Sequence, residues 1–197
     1  DEFNKIGVSY ESGNGDYAEW LERLDPQEPI SAGDIVAVIG GKVTRNLSEA
    51  QQVMVVSHRP IIMGNVPDEK EFHLGNTIAF TGQVPVKILG PVQTGDYIVA
   101  NPAVPGYGKA IAPSNIQTAE IPFIVGKAWE SNPKPGPKTI LTVVGQEALN
   151  FSATLESLEE RQQNLDTQLT EWQQRLSKLQ NKIQTIEAQD NEMATKH

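Results

Sequence analysis

Ser12 is followed closely by four carboxylates, Asp16, Glu19, Glu22 and Asp25. A carboxylate beside a serine hydroxyl can act as a general base for attack by that hydroxyl on the chain's own backbone. On composition alone the favoured reading of this run is a solvated acidic edge, with self-cleavage involving Ser12, Asp16 and Glu19 as the sharper alternative. Elsewhere the chemistry is sparse. The three histidines, His58, His73 and His197, are widely separated and lack ligand-type spacing, so no metal site is expected. There is no cysteine, which removes disulfides, thiolate ligands and cysteine nucleophiles. Gly40-Gly41-Lys42 lacks the upstream glycine and following helix of a phosphate cradle and reads as a hairpin turn. Asn46-Leu47-Ser48 and Asn150-Phe151-Ser152 are glycosylation sequons only in a eukaryotic secreted setting. No cofactor is expected. No enzyme acting on other molecules is expected either, and self-cleavage is the one activity left open.

The charge balance narrows the partners. Lys and Arg number 16 against 25 Asp and Glu, a net charge of −9 that repels nucleic-acid phosphates and anionic membrane surfaces. No run of 18 apolar residues offers a membrane span, so neither nucleic acid nor membrane insertion is expected. The sequence starts at Asp1 rather than Met and reads as a fragment or mature product, so missing targeting signals carry little weight.

Whatever positions those residues is mainly β up to residue 145. Residues 1–15 read as a connecting segment, 16–145 as a β-rich domain, 146–193 as a coiled-coil helix and 194–197 as a tail. Asp16–Leu21 is a short apolar-aromatic cluster within a polar stretch. Ile35–Ile39 reads as a strand, closed by Gly40-Gly41 and answered by Lys42–Thr44. Gln52–Ser57 is a β-branched run that ends before Arg59-Pro60. Further strands are expected at Thr77–Thr81, Val84–Leu89, Tyr97–Ala100, Phe123–Ala128 and Ile140–Val144, with Gly/Pro turns between them. An internal echo suggests two diverged repeats. Gly33-Asp34-Ile35-Val36 matches Gly95-Asp96-Tyr97-Ile98, Lys42-Val43 matches Lys109-Ala110, and Val55-Val56-Ser57 matches Ile124-Val125-Gly126. Duplication and chance remain open at this point.

After Gln146 the composition changes. Proline and glycine disappear, and apolar residues recur at alternating steps of three and four. With Leu155 as heptad position a, Leu155, Leu169, Leu176 and Ile183 fall at a. Phe151, Leu158, Leu165, Trp172, Leu179, Ile186 and Met193 fall at d, and only Gln162 and Asp190 interrupt the seam. A lone surface helix follows a 3.6-residue period and drifts from such a register by about 20° per heptad, so this pattern predicts a parallel coiled coil. Arg161 and Lys182 at g face Asp166 and Glu187 at the next e of a neighbour. The Ile183/Ile186 pair and the bulk of Trp172 lean toward three strands, and Gln162 at a is suited to setting register and strand number. The expected partner is the chain itself, as a homotrimer.

The order Asp16-Tyr17-Ala18-Glu19-Trp20, then Gly33–Val38, then Val55-Val56-Ser57-His58-Arg59-Pro60 resembles the C-terminal autoproteolytic intramolecular-chaperone domains of phage tailspikes and neck appendages. Related domains end fibre-like bacterial surface proteins. Gly82–Lys87 and Ile124–Ala128 fit the same pattern, so the resemblance covers about residues 7–145. It implies a trimeric module at the distal end of a β-structured fibre, placed outside the cell, on its surface or on a virion. It also implies release by self-cleavage just upstream, where Ser12, Asp16 and Glu19 lie. A Ser/Lys pair of the endosialidase type has no counterpart here. The expected function is therefore structural trimerisation and assembly. The alternative is a receptor- or glycan-binding tip presented by loops such as Asn101–Pro113 or Asn65–Glu71.

Overall fold

The computed structural model describes residues 15–145 and 152–194. The chain forms two compact units, Asp1–Phe151 and Ser152–His197. The first is β-rich and the second is a helix, as the sequence predicts.

The described strands of the first unit are β1 (Gly15–Glu22), β2 (Ile35–Ile39), β3 (Lys42–Thr44), β4 (Gln52–Val56), β5 (Ile62–Gly64), β6 (Gly75–Leu89), β7 (Tyr97–Ala100), β8 (Gly108–Ile111), β9 (Ile124–Ala128) and β10 (Pro137–Val144). Val and Ile dominate the buried positions because branched side chains pack well on a pleated surface. Strand β6 organises the unit. Its first half pairs with β1 and β4, and its second half pairs with β10 and, through Ile88 and Gly108, with β8.

Two closed strand circuits result. In the first, β6 joins β4, β4 joins β2, β2 joins β3, and a parallel bridge between Val43 and Arg23 returns to the end of β1. In the second, β6 joins β10, then β9, β7 and β8, and the parallel Ile88–Gly108 bridge closes the ring. Closure removes most free sheet edges. The interior of the first circuit holds Val36, Val43, Met54, Val56 and Ile78. A larger cluster from Ile35 and Val55 to Ile98, Ile140 and Val144 spans both circuits.

Hydrogen bonds repeat between the two. Gly33 (φ 81°) donates its N–H to Val56 O at 2.9 Å, and Gly95 (φ 92°) donates to Ala128 O at 2.8 Å. Val56 and Ala128 donate back to Asp34 O and Asp96 O, each at 2.9 Å. The two aspartates accept from the Ser31 and Gln93 N–H at 2.9 and 2.8 Å, closing equivalent turns. Both glycines hold a left-handed conformation that L side chains resist. The Gly-Asp part of the sequence echo is thus matched in geometry. Two of its other matches shift: Val56 corresponds to Ala128 rather than Val125, and Val43 corresponds to Gly108 rather than Ala110.

The structure corrects several boundaries. Asp16–Leu21 belongs to a full strand, and Thr77–Thr81 and Val84–Leu89 belong to one strand of 15 residues. Gly82, which looks like a break, instead bends that strand with φ 119°. A side chain there would collide with the Gly15 carbonyl oxygen, so only glycine allows β1 to lie this close. Strand β5 carried no sequence expectation, and β8 lies within Asn101–Pro113, which was expected to be a loop; Gly108–Ile111 instead pairs antiparallel with β7.

In the second unit, α1 (Ser152–Ala194) runs 43 residues. The expected start at residue 146 lies outside the described residues. It contains neither Pro nor Gly and is rich in Leu, Gln and Glu, all good helix formers. At about 1.5 Å per residue it spans roughly 65 Å. Thr167, Thr170 and Thr185 turn their hydroxyls back to the carbonyls of Gln163, Asp166 and Asn181, each at 2.9 Å. Among the described residues, no helix is long and apolar enough to cross a membrane.

Candidate functional site

The acidic run is dispersed by the two-residue alternation of β1. Asp16 points inward and is 1% exposed, as does Ala18, while Tyr17 and Glu19 share the opposite face. The Tyr17 hydroxyl donates to Glu19 Oε1 at 2.6 Å, and this bond raises the Tyr17 pKa above its ordinary value. Glu22 pairs with Lys42 at 2.9 Å, and Asp25 accepts the Gln27 N–H at 2.9 Å. Asp16 and Glu19 are therefore not brought together. Ser12 lies outside the described residues.

Asp16 meets residues that sequence spacing did not suggest. Its neighbour is Ser57, 5% exposed, at the end of the run that begins with β4. Neither carboxylate oxygen of Asp16, nor Ser57 Oγ, completes a hydrogen bond within the described residues. The hydroxyl is nevertheless close enough to favour the ionised carboxylate, as is the nearby His58. Burial outweighs both and pushes the Asp16 pKa above the usual carboxylate range. The backbone holds the arrangement in place: Asp16 O accepts the Ile61 N–H at 2.8 Å, and Ser57 N–H donates to Thr77 O at 2.8 Å. A buried, unpaired carboxyl beside an unpaired hydroxyl is unusual, because such groups ordinarily find partners. Among the described residues, this pair has the most character of a proton-transfer site. Ser57 and His58 sit in Val55–Pro60, one of the segments that carry the family resemblance, and that was the available signal. His73 lies apart, in the short 3-10 turn Phe72–Leu74, and His197 lies outside the described residues. Among the described residues, no cluster of three or more metal-ligand side chains occurs.

Elsewhere in the β unit, a cavity of about 720 Å³ is lined by residues including Pro29, Arg45, Leu47, Pro102, Pro105 and Phe123. Two of these, Pro102 and Pro105, come from the loop expected to form a binding tip. The Arg45 guanidinium bridges its walls, donating to the Pro29 carbonyl at 3.3 Å and to the Pro105 carbonyl. Its Nε also stands 3.8 Å from Asp34, whose carboxylate Lys87 engages at 2.6 Å. Among the described residues, Phe123 is the one aromatic ring that lines this space. The other loop named for such a tip, 65–71, does not line it.

On α1 the predicted seam is exposed. Leu165 is 66% exposed, Trp172 65%, Leu176 59% and Ile183 54%, and Leu169, Leu179 and Ile186 are similar. Arg175 stands 5.5 Å from the centre of the Trp172 ring, a cation–π contact along the helix surface. Gln162 is exposed and Leu158 half-buried, while the side chains of Phe151, Leu155 and Met193 lie outside the described residues.

No family model matches the chain, and no curated protein matches it. Among solved structures, the chain is similar to the pre-mature bacteriophage phi29 gene product 12, with 15% identity and a TM-score of 0.49. That match covers 68% of this chain and 22% of the other, so the chain spans about a fifth of that protein's length. A C-terminal fragment of the same phage protein matches at 15% identity and a TM-score of 0.41, covering 66% of this chain and all of the fragment. At these levels the functional argument rests on this chain's own residues.

Proposed function

We propose that this chain is a structural trimerisation and assembly module, chaperone-like in action, at the C-terminal end of an extended, virion-associated or surface-exposed fibre. One observation carries the reading. Helix α1 holds an in-register a/d seam of large apolar side chains, and each described member from Leu165 to Ile186 is more than half exposed. Leaving such a stripe in water forfeits about 25 cal/mol for every Å² that burial would remove. The natural occupant is the same seam on further copies.

The flanking charges favour identical partners aligned in parallel. The g positions carry Arg161, Gln168, Arg175 and Lys182, and the e positions carry Glu159, Asp166, Gln173, Gln180 and Glu187. Parallel copies set g against e, placing opposite charges together; antiparallel copies would set g against g and e against e. Association of this kind solves a registration problem. Fibre strands must start aligned before non-local pairing stabilises them, and a helix bundle forms early from local contacts. The test is the concentration dependence of melting followed by circular dichroism. The helical transition of the intact chain should rise in temperature with protein concentration. A transition independent of concentration would overturn the reading.

A second reading, self-cleavage upstream of the β unit, is favoured by Asp16 specifically. Its raised pKa makes it a stronger base once ionised, suited to take the proton of a serine hydroxyl such as Ser12. Glu19, committed to Tyr17 on the other face, is given no part in that step. A longer precursor should release this chain on incubation, and Asp16→Asn should keep it intact by mass spectrometry. Equal release from both would remove Asp16 from the mechanism. The glycan-tip alternative gains little from the cavity, since sugar sites usually stack on several aromatic rings.

A further inference from the structure

The strands beside Asp16 supply no donor side chain to its carboxylate. Across the pairing with β6 it faces Gly82, which has no side chain, and on the side of β5 its carbonyl takes the Ile61 N–H. The residue is 1% exposed, so solvent gives the carboxylate little help. A buried carboxylate needs a hydrogen-bond donor to carry charge. The donor comes from residues 57–61, the segment that leaves β4 and leads into β5.

The backbone fixes both ends of that segment. The Ser57 N–H donates to Thr77 O at 2.8 Å, continuing the pairing of β4 with β6 past Val56 and Ile78. At the other end the Ile61 N–H donates to Asp16 O at 2.8 Å, and Ile62 then pairs with Tyr17. Between them Pro60 locks its own φ and restricts Arg59 before it. A short span pinned at both ends thus carries the Ser57 hydroxyl to Asp16. Burial drives the carboxyl toward its neutral form, and the hydroxyl opposes this by favouring the charged one. The bond is incomplete in the resting arrangement. Catalytic hydrogen bonds are often long at rest and tighten only as the reaction proceeds.

We propose that Ser57 is a positioning residue: its hydroxyl donates to the Asp16 carboxylate and orients the remaining oxygen as the base. Its use rests on the self-cleavage reading, whereas the contact itself rests on the β unit alone. Ser57 is 5% exposed, which suits a group that acts through Asp16 rather than one that attacks a bond itself. Other groups around Asp16 are few. His58, next on the same segment, favours the ionised carboxylate through its charge. Tyr17 and Glu19 lie on the opposite face of β1, and the nearest paired residues, Thr81, Gly82 and Ile62, carry no titratable side chain.

Two measurements test the proposal. In the full chain, the Asp16 carboxyl carbon is followed by NMR as pH is varied. The Ser57 β-carbon of the native protein should move with the same midpoint, a result that needs no variant. Ser57→Ala should raise the Asp16 midpoint, because the lost donor favoured the ionised form, and Ser57→Thr, which keeps a hydroxyl, should restore it. In a longer precursor at neutral pH, Ser57→Ala should slow release of this chain roughly tenfold, about the worth of one hydrogen bond to a charged group. The pH profile of release should shift toward alkali, and Ser57→Thr should bring it back. A Ser57 carbon that ignores the Asp16 titration, or a midpoint and release profile unmoved by Ser57→Ala, would overturn the proposal. A native precursor that never cleaves would instead overturn self-cleavage and the positioning role with it, while the titration separately decides the contact.

Discussion

The β unit and the helix handle apolar side chains in opposite ways. In the β unit, Val36, Val43, Ile78, Val84, Val86, Ile88 and Ile98 are wholly buried, and two strand circuits close around them. On α1, Leu, Trp and Ile of comparable size lie in water along a straight register. The first unit completes its core with its own residues. The second, over its described side chains, buries none of its seam, and on the proposed reading other chains complete its core. A helix gains most of its stability from packing, so the proposed assembly would couple its folding to its association. The contrast teaches where the proposed account places assembly information: in the periodicity of a single element rather than in the β fold.

The largest break in that contrast should come from Leu176→Asp. It places a charge at the centre of the seam, where burial without a partner is strongly unfavourable. We expect loss of the associated state and most of the helical signal, with strand content by circular dichroism unchanged. Loss of the strand signal as well would show that the units do not fold independently.

Next in size is Gly82→Ala, which acts only on the β unit. The new methyl group would collide with the Gly15 carbonyl oxygen at a backbone angle suited to glycine. A cost of at least about 2 kcal/mol is expected in chemical denaturation, with the helical transition untouched.

Asp16→Asn sharpens the comparison within the β unit. Burial raises the folded-state pKa of Asp16 above its unfolded value. Its favourable contribution is therefore fully present below the unfolded pKa, about 3.9, and is lost as pH rises through the folded value. Asn carries no charge to desolvate. The variant should be the more stable protein at neutral pH, and the advantage should vanish toward acid. Denaturation midpoints of both proteins across that range decide it, and an advantage that persists unchanged in acid would contradict the burial argument.

The smallest effect is expected from Lys182→Glu, which reverses one of the solvent-facing charges beside the seam. A change of about 0.3–0.5 kcal/mol per pair, shrinking with added salt, should appear in the helical melting temperature. A salt-independent change would mean that the g-to-e pairing is not its source.

What could be read from the sequence follows the range of the interactions. The β2–β3 hairpin was legible because a β-branched run, two glycines and a return strand all lie within ten residues. The helix was legible because its period is local. Strand β1 was obscured by its mixture of Asp, Glu and aromatic residues, since it is buried on one side only near its start. Strand β6 looked like two because Gly82 bends it without ending it. The repeat was visible at Gly33 and Gly95, where the turn demands glycine. It faded at Val56 and Ala128, whose equivalence lies in backbone hydrogen bonds that any residue can make. At the candidate site Asp16 stood out by type. Its meeting with Ser57 did not, because strand pairing through β6 brings the two segments together.

The most direct test of the assembly account is solution molar mass by light scattering on the intact chain, beside a truncation ending at Asn150. Three copies of the 21.6 kDa chain are predicted for the intact protein, with a folded monomer for the truncation. An intact chain that remains monomeric at high concentration would contradict the account.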